Sequence, residues 1–185
     1  RIVDIWDFGW DAETGTVFPE ELKKEYLRNK EEYESKRTIL HFMQPHLPFL
    51  SMKGRSSLGG LKRNFGSKDE SDSNFILKKG FLIHDKLAEF LGRENLWRIK
   101  RFLPDSYIGD LERAWREGGK KGIFHHYEEN LRRVLKVVSE LLSKIGGKTI
   151  ITSDHGEAFG EQGIWHHPEN VHVPVLMEVP WLRVE

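Results

Sequence analysis

Residues 148–167 read Lys-Thr-Ile-Ile-Thr-Ser-Asp-His-Gly-Glu-Ala-Phe-Gly-Glu-Gln-Gly-Ile-Trp-His-His. The β-branched run Thr149, Ile150, Ile151, Thr152 stops abruptly at Ser153, Asp154, His155 and Gly156. Such a run has the profile of a buried parallel strand that delivers polar groups at its carboxyl tip, where open α/β sheets place their ligands. The adjacent carboxylate and imidazole of Asp154 and His155, with a further imidazole at His167, make a donor set suited to Zn²⁺ or Mn²⁺. A strand end carrying a solvated Asp and a loop-capping His explains the pair alone. It does not explain the whole string.

A second stretch of the same kind lies upstream. Residues 37–49 run Arg-Thr-Ile-Leu-His-Phe-Met-Gln-Pro-His-Leu-Pro-Phe, an apolar segment that ends in a polar turn. Pro45 and Pro48 bracket His46 and restrict the backbone around it, which suits a side chain held in a site. His41 falls inside the apolar segment and reads as a hydrogen-bonded core histidine. Between the two stretches, residues 127–145 carry Tyr127, Leu131, Val134, Leu135, Val138, Leu141, Leu142 and Ile145 at helical period, continuing Phe124. Gly146 and Gly147 then stop the helix.

Together these stretches resemble the alkaline phosphatase superfamily, in its sulfatase-like and phosphoethanolamine-transferase-like branch. The Ser-Asp-His-Gly-Glu string matches that branch's metal signature, and Pro45-His46-Leu47-Pro48-Phe49 matches its P-H-x-P-F strand end. The resemblance implies that Asp154 and His155 bind the catalytic metal and that His167 approaches the same centre, with His166 the alternative one residue out of register. It gives His46 contact with the transferred phosphate or sulfate, or with a second metal. Glu157 is placed to hydrogen-bond a ligand or to sit on the surface. Val173 to Trp181 matches the strand that follows in the family. The implied fold is a three-layer α/β/α domain with a mostly parallel sheet, here truncated on its amino-terminal side.

The family's nucleophile is a Ser, Thr or Cys-derived formylglycine in the amino-terminal half, and no segment matches it. The chain has no cysteine, which excludes formylglycine made from Cys. Ser51, Ser56, Ser57, Ser67, Ser71 and Ser73 lie in polar loop sequence. With Arg1 as the first residue, the chain reads as a carboxyl-terminal piece, and nitrophenyl ester hydrolysis by it alone is expected not to exceed background.

Composition sets outer limits. One domain spanning 1–185 is expected from 185 residues, enough to bury a core. Lys plus Arg equals Asp plus Glu at 29 each, so net charge points to no polyanionic partner such as nucleic acid. The absence of cysteine favours the cytoplasm. No apolar run reaches membrane-spanning length. Residues 53–68 are basic and Gly/Ser-rich, 69–74 reverse the charge, and the whole 53–74 stretch reads as a flexible solvated loop.

Further helices are expected from Pro19 to about Ser35, over 76–91, and from Pro104 to Trp115; His84, His125 and His126 on presumptive helices read as structural or surface residues. Strands are expected over 38–43, 149–153 and 174–179. A truncated sheet exposes an edge, so self-association as a homo-oligomer is expected. The leading functional expectation is a metal-dependent hydrolase or transferase acting on sulfate or phosphate esters, with Zn²⁺ or Mn²⁺ favoured over Mg²⁺ or Ca²⁺. The alternative is a non-catalytic remnant that binds metal or an anion, or serves as an assembly partner.

Overall fold

A helix of 23 residues organises the chain. The protein is seen in a computed structural model that describes residues 1–52, Phe90 and residues 110–185. The elements in chain order are α1 (Trp6–Gly9), β1 (Trp10–Asp11), β2 (Thr16–Val17), α2 (Pro19–Arg28), α3 (Lys30–Glu34), α4 (Asp110–Gly118), α5 (Lys120–Leu142), β3 (Thr149–Thr152), β4 (Ala158–Phe159), β5 (Trp165–His166), α6 (Pro174–Met177) and β6 (Trp181–Val184). The loop expected over 53–74 lies outside the described residues. So do the helices expected over 76–91 and from Pro104, apart from Phe90 and the part from Asp110 onward.

Helix α5 is where the sequence predicts one, but its buried stripe is rotated. The residues turned inward are Ile123, His126, Asn130, Val134, Val137 and Leu141, a regular three-and-four spacing. Phe124 and Leu135, counted on the apolar side from sequence, are 42% and 45% exposed. Two polar residues in the buried stripe hid its true direction. The first half of α5 packs Ile123 against Phe49, Leu111, Ala114 and Phe159. Its second half packs Val137 and Leu141 against Tyr26, with Leu40 and Phe42 alongside.

The expected three-layer fold with a parallel sheet is not what forms. Among the described residues the sheets are three antiparallel pairs: β1 with β2, β3 with β6, and β4 with β5. Residues 38–43 are not in a strand; Leu40 and Phe42 pack by side chain against the second core cluster, while Ile39 stays exposed. Residues 174–177 coil instead of extending, because Pro174 brings a fixed φ and no N–H, which suits a first helical turn. The ladder beside β3 is taken by the residues after Pro180, with Ile150 opposite Arg183 and Ile151 opposite Leu182. β3 is therefore only half buried, alternating along its length, not sandwiched between helical layers.

The expected helix from Pro19 to Ser35 is divided at Asn29, whose φ of −115° and ψ of 28° leave the helical region. Its side chain closes the break by donating to the Glu25 carbonyl and carboxylate. Helix α2 docks on α5 through Tyr26, through the two-pronged Arg133–Glu20 pair at 2.9 and 3.2 Å, and through Lys23–Glu140. These ion pairs are partly solvated, so they orient the helices more than they stabilise them.

Asn130 connects this scaffold to the turn that carries His46. Its side chain is almost wholly buried, at 1% exposure. Its Nδ2 donates toward the carbonyls of Pro45, His46 and Pro48 at 3.3, 3.1 and 3.0 Å, and its Oδ1 accepts the Leu50 N–H at 2.8 Å. A turn with two prolines cannot satisfy these groups by a ladder, so one amide does it instead. Asn130→Ala is expected to lower unfolding free energy by about 3 kcal/mol, since it strands several buried backbone groups. Leu135→Ala on the exposed side should cost less than about 1 kcal/mol. Urea denaturation of the two variants checks the contrast.

Candidate metal centre

The candidate centre is assembled by a hairpin that folds the string onto itself. Ala158 pairs with His166 and Phe159 with Trp165, so the next step outward sets Glu157 beside His167. The loop closes at Gly160, whose φ of 99° is the left-handed conformation glycine tolerates and whose N–H bonds the Ile164 carbonyl at 2.7 Å. Successive strand residues normally face opposite sides. His166 breaks that alternation with a φ of 61°, and both His166 and His167 reach the same carboxylate. Glu157 Oε1 lies 3.1 Å from His166 Nδ1, and Oε2 lies 2.8 Å from His167 Nδ1.

Gly156 explains the glycine of the string. A Cβ there would meet the Val175 carbonyl oxygen at 1.9 Å, because the Gly156 N–H donates to the Leu176 carbonyl at 2.9 Å. The first turn of α6 thus seats the loop between His155 and Glu157. The rings of His155 and His167 lie tilted against each other with centroids 4.1 Å apart, and His46 comes from the Asn130-held turn to a centroid distance of 5.0 Å from His167. One nitrogen each of His155 and His167 and one oxygen of Glu157 lie within 4.8 Å of one another.

Tautomers follow from the acceptors. His155 Nδ1 faces the Gly156 carbonyl at 2.8 Å and His46 Nδ1 faces the Leu47 carbonyl at 2.9 Å. Carbonyls and carboxylates only accept, so Nδ1 carries the proton in His46, His155 and His167. Each neutral ring therefore keeps its Nε2 lone pair. Burial alone would raise the Glu157 carboxyl. The hydrogen bonds it accepts from His166 and His167 more than offset this, and its pKa falls below the ordinary glutamate value. Tyr127 nearby is pushed up to about 12 by burial and by the Glu157 charge.

The structure thus brings His46, His155 and His167 together, with Glu157 at their centre and His166 on its other oxygen. Asp154 sits on the rim. Its side chain is 63% exposed, its Oδ1 accepts the His155 N–H, and its Oδ2 lies 3.7 Å from His41 Nε2 and 3.8 Å from His155 Nε2. His41, read from sequence as a core residue, is 72% exposed. Beside the imidazoles, His46, Tyr127, Glu157 and His166 help line a cleft of about 10 Å³, room for one water. No protein-family model, curated protein or solved structure matches the chain.

The lowered Glu157 carboxyl has a pH consequence. An unfolded glutamate titrates near ~4.3, so this group's stabilisation is present above that value and is lost as pH falls through its lower folded pKa. The stability gap between wild type and Glu157→Gln should be full at pH 6 and should close between about pH 5 and pH 3. Thermal unfolding of both proteins across that range measures it.

Proposed function

We propose that the chain binds a divalent cation through His155, Glu157 and His167, Zn²⁺ or Mn²⁺ being favoured, and that this centre serves hydrolysis or transfer of sulfate or phosphate esters. The observation that supports the reading most is the donor cluster itself: one nitrogen each of His155 and His167 and one oxygen of Glu157 lie within 4.8 Å of one another. Two nitrogens and a carboxylate suit borderline cations better than Ca²⁺, which takes oxygen ligands. A cation held there supplies Lewis-acid polarisation of an ester oxygen.

The chain's own residues have separable tasks. Glu157 accepts from His166 and His167 at Nδ1; because the Nε2 of His167 points away from that carboxylate, a cation shared by Glu157 and His167 would take the place of the Nδ1 proton. His46, once protonated at Nε2, donates to an anionic ester oxygen while Leu47 still holds its Nδ1. Asp154 on the rim tunes His155 through its backbone and Nε2 neighbours.

Metal-stripped protein should melt several degrees higher with Zn²⁺ or Mn²⁺, since a ligand at 100 times its Kd stabilises by about 2.7 kcal/mol. His155→Ala and His167→Ala should lose the shift, whereas Asp154→Ala should keep most of it. An equal response in all four proteins would contradict the centre. Cation-dependent turnover of nitrophenyl phosphate or sulfate that vanishes in His155→Ala would support an ester substrate. Cation binding without turnover would favour the remnant that binds but does no chemistry.

A further inference from the structure

His126, read from sequence as structural or surface, sits in the buried stripe of α5 one turn before Asn130. Its Nε2 lies 2.7 Å from Glu117 Oε2 and its Nδ1 lies 2.8 Å from Ser51 Oγ. For the neutral ring the proton positions follow from the partners. A carboxylate only accepts, so Nε2 carries the hydrogen and donates to Glu117; neutral Nδ1 is then a lone pair, and the Ser51 hydroxyl must donate to it. A serine whose proton already points at an imidazole, itself oriented by a carboxylate, is an oxygen nucleophile beside its general base. The imidazole is used the other way round from the familiar arrangement, with Nδ1 as the base. Either nitrogen is competent for that role.

The surroundings fit this use. Ser51 is exposed, while His126 is 6% exposed and its ring is stacked on Phe49 at 5.7 Å. The nucleophile is therefore open to solvent, but its base is shielded. The serine is also held in place: the Leu50 N–H is fixed by Asn130, and the Met52 N–H closes a turn onto the Phe49 carbonyl at 3.0 Å. None of Ser51, His126 and Glu117 belongs to the metal centre described above.

We propose that Ser51, His126 and Glu117 form a second, metal-independent site that accepts acyl groups from small carboxylic esters. Ser51 Oγ attacks the carbonyl carbon as its proton passes to His126 Nδ1. The C–O bond to the alcohol breaks, and the alcohol leaves with that proton. Water then attacks the acyl-serine, giving its proton to Nδ1, and the carboxylic acid departs as Ser51 regains its hydrogen. The balance is ester plus water to acid plus alcohol, with no other reactant. Glu117 is a positioning residue, holding the tautomer and stabilising the imidazolium that forms in each step.

The test uses the full chain in a chelating buffer, with a fluorophosphonate and with nitrophenyl acetate as probes. Phosphonylation should fall on Ser51, located by peptide mass, and Ser51→Ala should lose both the label and the acetate turnover. His126 is buried, so replacing it perturbs the core, and the decisive comparison is Glu117→Gln, at a side chain 57% exposed. It should slow labelling of Ser51 by about tenfold or more, a part of the ~10²–10⁴ that a general base contributes when fully in place. Label spread over other serines, label retained in Ser51→Ala, or an unchanged rate in Glu117→Gln would overturn the proposal and leave the Ser51–His126 bond as a structural tie.

Discussion

The side-chain amide of Asn130 is the contact on which the rest of the structure depends. The turn from Pro45 to Leu50 has two prolines, both following cis peptide bonds, and exposes backbone groups that no strand neighbour can satisfy. A single buried amide on α5 takes up four of them. An unsatisfied buried carbonyl or N–H costs free energy comparable to a lost hydrogen bond, so the turn has one low-energy seat. That seat places His46 against His167 on one side and Ser51 against His126 on the other. Both chemical clusters thus inherit their geometry from the same helix face.

Positioning of the remaining groups is local. A short hairpin brings Glu157 back to His166 and His167, and the Gly156–Leu176 bond seats the loop that carries His155. Each imidazole near the centre has its orientation set by an oxygen acceptor within its own loop or hairpin. This is the usual means of presenting a lone pair at a fixed angle. It explains how a centre can form at the end of β3 without a large sheet behind it.

Much of the candidate centre was legible in the sequence, and less of the fold. His46, His155 and His167 stand out because each ends an apolar run or sits in a distinctive string. Helix α5 was legible from its period, but Asn130 and His126 were not recognised as inward-facing, since polar identity masks a buried position. Of the three expected strands, 149–153 forms as β3, and the other two failed for a different reason. Pairing is non-local, and an extended apolar segment such as 38–43 reads the same whether it joins a ladder or packs by side chains alone. Pro174 was the available warning that 174–179 would not be a continuous strand. Glu157 became central only through hairpin register and the positive φ at His166, and neither is visible from residue type.

The central claim is that His46, His155 and His167 share one tautomer, each with Nδ1 on an oxygen acceptor and Nε2 left unprotonated. Long-range ¹H–¹⁵N correlation spectra of the histidine side chains, recorded near neutral pH before and after Zn²⁺ addition, test it most directly. The account expects His46, His155 and His167 as Nδ1–H tautomers in metal-free protein, with the Nε2 resonances of His155 and His167 moving on Zn²⁺ addition while those of His126 stay fixed. Nε2–H tautomers at His155 and His167, or Nε2 signals indifferent to Zn²⁺, would contradict it.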